Sequence, residues 1–218
     1  MNMRSNALLI ALMLMLAAPA FAAAPLLDRP HWSIEVKGGW FYPDIDNWET
    51  YYGRDNTWHY AGSLAYKLLR QVEVGVEGGF IKDKGQGSGA ISGTVAGHVD
   101  YELFPLNAFV LFRGVFSERQ WLVPYAGGGW TRMFYREKIE GQGTARGNAD
   151  GYHGRAGLQI LLDDADATAT RNLRSDFGIC HTYFFLETQL THAMTKDLSG
   201  ASVNLGGTSY LMGLLFEF

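Results

Sequence analysis

One cysteine in 218 residues cannot close an internal bridge, so the chain is not a disulfide-stapled scaffold. A basic excess is missing too: 18 Lys and Arg stand against 22 Asp and Glu, for a formal net charge of −4, and this excludes the cationic footprint of a nucleic-acid binder. Beyond residue 24 no uncharged apolar run approaches the ~18 residues that a membrane-spanning helix needs. Histidines form no compact cluster, and Gly85-Gln86-Gly87-Ser88-Gly89 precedes no helix, so neither a metal centre, a cofactor site nor a phosphate cradle is expected. Asp44, Asp46, Asn47, Glu49 and Asp55 crowd one segment without the EF-hand spacing and read as a solvated acidic loop. What is abundant is glycine, 27 residues or about 12 % against a usual ~7 %, together with 14 % aromatics. That mixture suits strands and turns.

The first residues have the form of a secretory leader: Arg4, an apolar stretch over 7–18, then Pro19 and Ala20-Phe21-Ala22, a small-x-small cleavage site. Residues 1–22 are therefore expected to be removed, leaving 23–218 as one domain. Removal deletes Arg4 and no acid, so the net charge moves from −4 to −5.

The remainder alternates with period two. Trp32, Ile34, Val36, Trp40 and Tyr42 fall on one face and Ser33, Glu35 and Lys37 on the other; Trp58, Tyr60, Leu64, Tyr66 and Leu68 oppose His59, Ser63 and Lys67; Val72, Val74, Val76 and Phe80 oppose Glu73 and Glu77. Later segments repeat the scheme. Tyr152, Ala156, Leu158 and Ile160 oppose His153, Arg155 and Gln159; Phe184, Leu186 and Leu190 oppose Glu187 and Gln189; Tyr210, Met212, Leu214, Phe216 and Phe218 oppose Ser209 and Glu217. Two segments are harder to assign. In 97–116 the charges Asp100 and Glu102 are even and Arg113 is odd, so a bulge near 104–106, beside Pro105, is expected to flip the facing within one strand. In 121–136 the expectation is Trp121, Val123, Tyr125, Met133 and Tyr135 outward with Arg132 and Arg136 inward, and Trp130, Phe134, Leu211 and Leu215 also pointing in.

Eight such segments, with connections over 43–57, 82–96, 137–151 and 193–204 that are long and others near 70 and 117–120 that are short, predict an all-β, eight-stranded antiparallel transmembrane barrel. Within 163–181, Ala165, Ala169, Leu173 and Phe177 recur every four residues and predict a short amphipathic helix at the short-turn mouth, the periplasmic side. The aromatic-rich face is too bulky for an eight-stranded interior, which has room only for filling side chains, so the charged face is assigned inward. There, acids Glu35, Glu73, Glu77, Asp100, Glu102, Glu187 and Glu217 nearly balance bases Lys37, Lys67, Arg113, Arg132, Arg136 and Arg155. Near balance predicts a cross-linked lumen and not a single-sign ion pore; the alternative is a gated conduit whose wall is part polar and part apolar.

Gly213, Phe216 and the terminal Phe218 match the G-x-x-aromatic-x-aromatic ending read by the bacterial barrel-assembly machinery, with Leu211 standing where that signal has a polar residue. With the Pro-containing strand 98–113 and the Val123-Pro124-Tyr125-Ala126-Gly127 start of the next, the chain most resembles the OmpW family of small outer-membrane barrels, and next the OmpA and OmpX type. The first resemblance implies passage of small apolar solutes across a Gram-negative outer membrane; the second implies a closed structural or surface-interaction barrel. Either implies outer-membrane lipid and lipopolysaccharide as surroundings and the assembly machinery as a partner. Lipid A deacylase barrels resemble one another in a histidine two residues before the serine it activates, and that pair is not expected in this chain. His98 and Asp100 have no nucleophile beside them, and the chain is expected not to be an enzyme.

Overall fold

The computed structural model describes residues 30–45, 48–88, 95–117, 120–139, 143–196, 200 and 202–218. The expected leader at 1–22 lies outside them. Strands β1 (Trp32–Pro43), β2 (Thr57–Leu69), β3 (Val72–Ser88), β4 (Val95–Arg113), β5 (Leu122–Ile139), β6 (Gly143–Leu161), β7 (His181–Lys196) and β9 (Gly207–Glu217) make one antiparallel sheet in the order β6-β5-β4-β3-β2-β1-β9-β7. Pairing of β6 with β7 closes it into an eight-stranded barrel, and a short β8 (Ser202–Asn204) adds to β7 alone. Closure leaves no long unpaired edge, the condition for crossing a membrane with strands.

The register fixes the tilt. From Val36 the paired row runs through Gly62, Gly78, Leu106, Arg132 and Asp150 to Met194 on β7, whereas in the other direction it runs through Leu214 to Phe184. The two ends lie ten residues apart on β7, so a row of partners climbs toward the loop end as it passes from β1 to β6. With that climb, Trp40, Trp58, Phe80, Phe104, Trp130, Tyr152 and Tyr210 form one aromatic band round the outer wall, including the Trp40–Trp58 and Phe80–Phe104 pairs at 5.5 and 5.1 Å. Such bands mark a membrane interface.

Below the band the wall is inside-out relative to a soluble protein. Ile34, Val36, Leu64, Val76, Leu158, Leu186 and Leu214 are exposed, while Glu35, Lys37, Glu73, Glu77, Arg155 and Glu187 are buried. Turning an Arg or Lys outward at mid-depth would cost roughly 2–4 kcal/mol each, so lipid outside selects this facing. Above the band the polarity reverses, and two expectations fail, one of them there. No bulge occurs at 104–106: β4 keeps unbroken register with β5 past Pro105. Val99, Tyr101 and Leu103 therefore stay inward and buried, and Asp100 and Glu102 point outward. The charges change parity because the strand leaves lipid for water, not because the chain slips. Pro105 is accommodated by Gly79 on β3, where a Cβ would lie 2.8 Å from both Pro105 Cγ and His59 Nε2.

The second failure is β5, which is reversed along its whole length. Val123, Tyr125 and Met133 are buried in the interior, while Trp130, Phe134, Arg132 and Arg136 face out. Leu211 and Leu215 do point in, at 2 % and 0 % exposure. The connections are also shorter than expected, because β3, β4, β5 and β6 continue as strands well past the band.

Two helices complete the described residues. At the loop end, α1 (Trp48–Tyr52) folds into the mouth. At the turn end, α2 (Ala167–Phe177) lies within the predicted 163–181 segment, capped by Asp166, whose side chain accepts from Thr168 N and Ala169 N at 2.9 Å, and ended by Gly178 at φ 73°. The two amide hydrogen bonds hold the Asp166 carboxyl below the ordinary range. No residue of α2 is buried, and Phe177 is 68 % exposed, so the helix does not plug the turn-end mouth.

Candidate functional site

The interior is filled in tiers. Nearest the turn end, Val123, Leu161, Tyr183, Phe185 and Leu215 form an apolar floor. Level with it is an ion cluster from four strands; on β9, Glu217 lies two residues nearer the turn end than Leu215. Arg113 Nη1 lies 2.7 Å from Glu73 and 2.5 Å from Glu217, Lys67 Nζ lies 2.5 Å from Glu217, and Arg113 Nε donates to Gln159 at 2.9 Å. Tyr183 from the floor packs under the Arg113 guanidinium at 5.3 Å.

Toward the loop end lies a second, larger lattice. Arg155 on β6 reaches Glu35 on β1 (2.9 Å), Glu77 on β3 (2.8 Å) and Glu187 on β7 (3.0 Å). Two staves separate β6 from β3 on one side and from β1 on the other, so this one guanidinium spans the lumen. Lys37 meets Glu77 at 2.5 Å and Glu187 at 2.6 Å. Ser63, Asn107 and Tyr125 donate to Glu35, Glu77 and Glu187 at 2.8, 2.9 and 2.8 Å, so each carboxylate has several donors. The Arg155 guanidinium also lies 4.3 Å from the Phe109 ring, which closes one side of the cluster. Three acids and two bases give a formal charge of −1 there; the lower cluster, with two of each, is neutral. Charges taken out of water need this density of partners to be tolerated.

Above the lattice comes a polar ring that includes His59, His153, Gln189 and Ser209, with His59 Nδ1 3.0 Å from Ser209 Oγ. The loop-end mouth is then capped by aromatics. Trp48 and Tyr52, one helical turn apart on α1, stack at 3.9 Å, and Trp48 meets Tyr101 edge-on at 5.2 Å, over Phe41, Ile81, Leu103 and Met133. Just beyond α1, Arg54 pairs with the buried Asp83 and pins the helix in place. That hydrogen bond raises the Arg54 pKa further, and burial pushes the Tyr52 phenol up.

Of the thirteen residues assigned to the lumen from sequence, nine are inside: Glu35, Lys37, Lys67, Glu73, Glu77, Arg113, Arg155, Glu187 and Glu217. Asp100, Glu102, Arg132 and Arg136 lie on the outer wall instead, where Glu102 pairs with Lys82 (2.7 Å) and Arg136 (3.5 Å) and Arg132 with Asp150 (3.7 Å). The sequence pattern does not reach Tyr125, because the expected facing of β5 is reversed, or Asp83, because it falls in the expected connection 82–96. Asp83 continues the odd parity of Glu73 and Glu77, a usable signal.

The family model for the outer membrane protein beta-barrel domain matches residues 8–207. The chain belongs to the outer-membrane β-barrel domain family. Among solved structures it is similar to Neisserial surface protein A (TM-score 0.58, 11 % identity, covering 86 % of this chain and 97 % of that one). It is also similar to OprG from Pseudomonas aeruginosa (TM-score 0.54, 13 % identity, covering 87 % and 97 %). At these identities the likeness is one of fold. No curated protein sequence matches. Membership of the family and the apolar wall agree on the outer membrane as the location. In this outer-membrane barrel the carboxyl-terminal motif also seals the cylinder: Phe218 O accepts from His31 N and Trp32 N at 2.7 and 3.2 Å, Phe218 N donates to Trp32 O at 2.9 Å, and Gly213 lets β9 lie close on β1 at Val36 and Lys37.

The His-x-Ser spacing of deacylase barrels does occur once, at His31 and Ser33. The two are not joined, since Ser33 Oγ is buried and donates to Glu73 at 3.5 Å while the His31 ring stacks on Tyr66 at 5.9 Å. Among the described residues no group of three His, Cys, Asp or Glu could hold a metal ion. Cys180 is half-buried, its Sγ 3.8 Å from Gly178 O.

Proposed function

We propose that this is a closed outer-membrane barrel, acting as a structural or surface-interaction element through its rim and outer wall, with no open path through its centre. The observation that carries this reading is Arg155, which ties three strands together across the lumen at 2.8–3.0 Å. A second ion cluster and an apolar floor lie beneath it, so a solute travelling along the axis would have to break two sets of buried ion pairs. The partners on this reading are outer-leaflet lipid, lipopolysaccharide and, during biogenesis, the barrel-assembly machinery that reads Gly213, Phe216 and Phe218.

The OmpW-like passage of small apolar molecules is the second reading. The apolar cap of Trp48, Tyr52, Tyr101, Leu103 and Met133 favours it, because an apolar solute could enter there if α1 moved. Uptake by proteoliposomes separates the two. A closed barrel gives the rate of protein-free vesicles for both a small apolar probe and a small sugar; faster entry of the apolar probe alone supports passage.

A further inference from the structure

The outer wall above the aromatic band is not the same all round. Outward cations of the strands there are Lys82 and Lys84 on β3, Arg132, Arg136 and Lys138 on β5, and Arg146 on β6; among the described residues the remaining wall adds only Lys196 on β7. The register packs them together. Lys82, Glu102, Arg136 and Arg146 are successive partners in one row, and Lys84, Asp100 and Lys138 in the next. Outward acids on this flank are Asp100, Glu102 and Asp150, so six positive charges face three negative ones. Lys138 and Arg146 are exposed, and neither has an acid within ion-pair distance among the described residues.

Directly beneath, the wall turns aromatic and then hollow. Phe80 and Phe104 pack at 5.1 Å, and the Arg132 guanidinium lies 5.6 Å from the Phe134 ring. Below them Ala108 and Gly128, small residues between Val76, Val110 and Tyr66, sink the surface into an apolar depression of about 520 Å³. A surplus of cations over an aromatic row over an apolar hollow matches an amphiphile whose anionic head sits at the interface and whose chains run down the wall. A free anion would use only the upper part and an apolar solute only the lower.

We propose that the β3–β6 flank is a binding surface for a phosphorylated lipid of the outer leaflet, with the phosphate on Arg136, Lys138 and Arg146 and an acyl chain in the hollow at Ala108 and Gly128. The surface is independent of whether the lumen is closed. It gives the barrel one preferred lipid-facing side.

Native mass spectrometry of the folded protein in dodecyl maltoside micelles tests it, with bisphosphorylated lipid A as the probe. The same glycolipid stripped of phosphate, and excess inorganic phosphate as competitor, serve as comparisons. Wild type is expected to retain one lipid A, to retain no dephosphorylated lipid and to keep its adduct in millimolar inorganic phosphate. The double variant R136Q/K138Q should bind roughly 30-fold more weakly, about 5-fold for each cation lost near an anionic headgroup, whereas R171Q, at an exposed position of α2 at the other end of the barrel, should bind as wild type does. Folding of each variant is checked by the electrophoretic shift between unboiled and boiled samples, and the wild-type comparison needs no variant at all. Equal retention of the dephosphorylated lipid, displacement by inorganic phosphate, or equal weakening by R171Q would overturn the proposal.

Discussion

Replacing Arg155 by Met keeps most of the side-chain volume and removes the charge that crosses the lumen. Arg155 is fully buried and contacts three carboxylates at 2.8–3.0 Å, and without it Glu35, Glu77 and Glu187 share Lys37 alone, so the formal charge of the cluster goes from −1 to −2. Breaking a buried pair from one side costs about 3–5 kcal/mol, and the lost stacking of the guanidinium on Phe109 adds ~1 kcal/mol. Arg155→Met should thus lose about 4–6 kcal/mol, a large part of the ~5–15 kcal/mol that holds a typical domain. The assay is reversible urea unfolding in phosphocholine vesicles, followed by tryptophan fluorescence. Adding Glu187→Gln restores the formal charge to −1 and should recover part of the loss, since contacting residues are not additive. A loss below ~1 kcal/mol, the size found for solvent-exposed pairs, would refute the reasoning, because the lattice would then be wet and the lumen open to water.

Four other outcomes are expected. Gly79→Ala puts a Cβ 2.8 Å from Pro105 Cγ and His59 Nε2, and should cost ~1–3 kcal/mol in the same unfolding assay. Trp48→Ala with Tyr52→Ala removes the cap, yet should leave ion conductance at baseline because both ion clusters remain below it; this is read in planar bilayers. Phe218→Ala weakens the carboxyl-terminal motif and should lower the folded fraction recovered from outer membranes, measured by the heat-dependent gel shift, with the stability of the recovered barrel little changed because its backbone bonds to His31 and Trp32 persist. The Asp166 carboxyl is held below its ordinary value of 3.8 in the folded state, so its contribution is complete above that pH and is lost as pH falls through the lowered value. Amide and Cα chemical shifts of 167–177 should then report fraying of α2 in acid while barrel resonances stay put, and Asp166→Ala should show the same fraying at neutral pH.

The barrel was legible in the sequence because one physical rule, period two with lipid on one side, governs β1, β2, β6, β7 and β9. That rule holds only where the strand is in the bilayer. In β4 the charges at 100 and 102 and then at 113 change parity, which in a constant environment only an inserted residue would explain. The strand is regular and the surroundings change at Phe104. In β5 the same error spread further, since Val123, Tyr125 and Met133 look like lipid-facing residues but fill the floor, the middle and the cap of the interior. The lower and central charges were identifiable by parity. Their division into two clusters was not, because it depends on the ten-residue stagger that sets which residues of distant strands share a height.

Single-channel recording of the purified wild-type protein in planar bilayers at high salt tests the central claim most directly. A lumen crossed by Arg155 and closed below by Arg113 and Lys67 predicts insertion without conductance steps above the bare membrane. Regular, reproducible open steps from the unmodified protein would contradict it and turn the interior into a conduit.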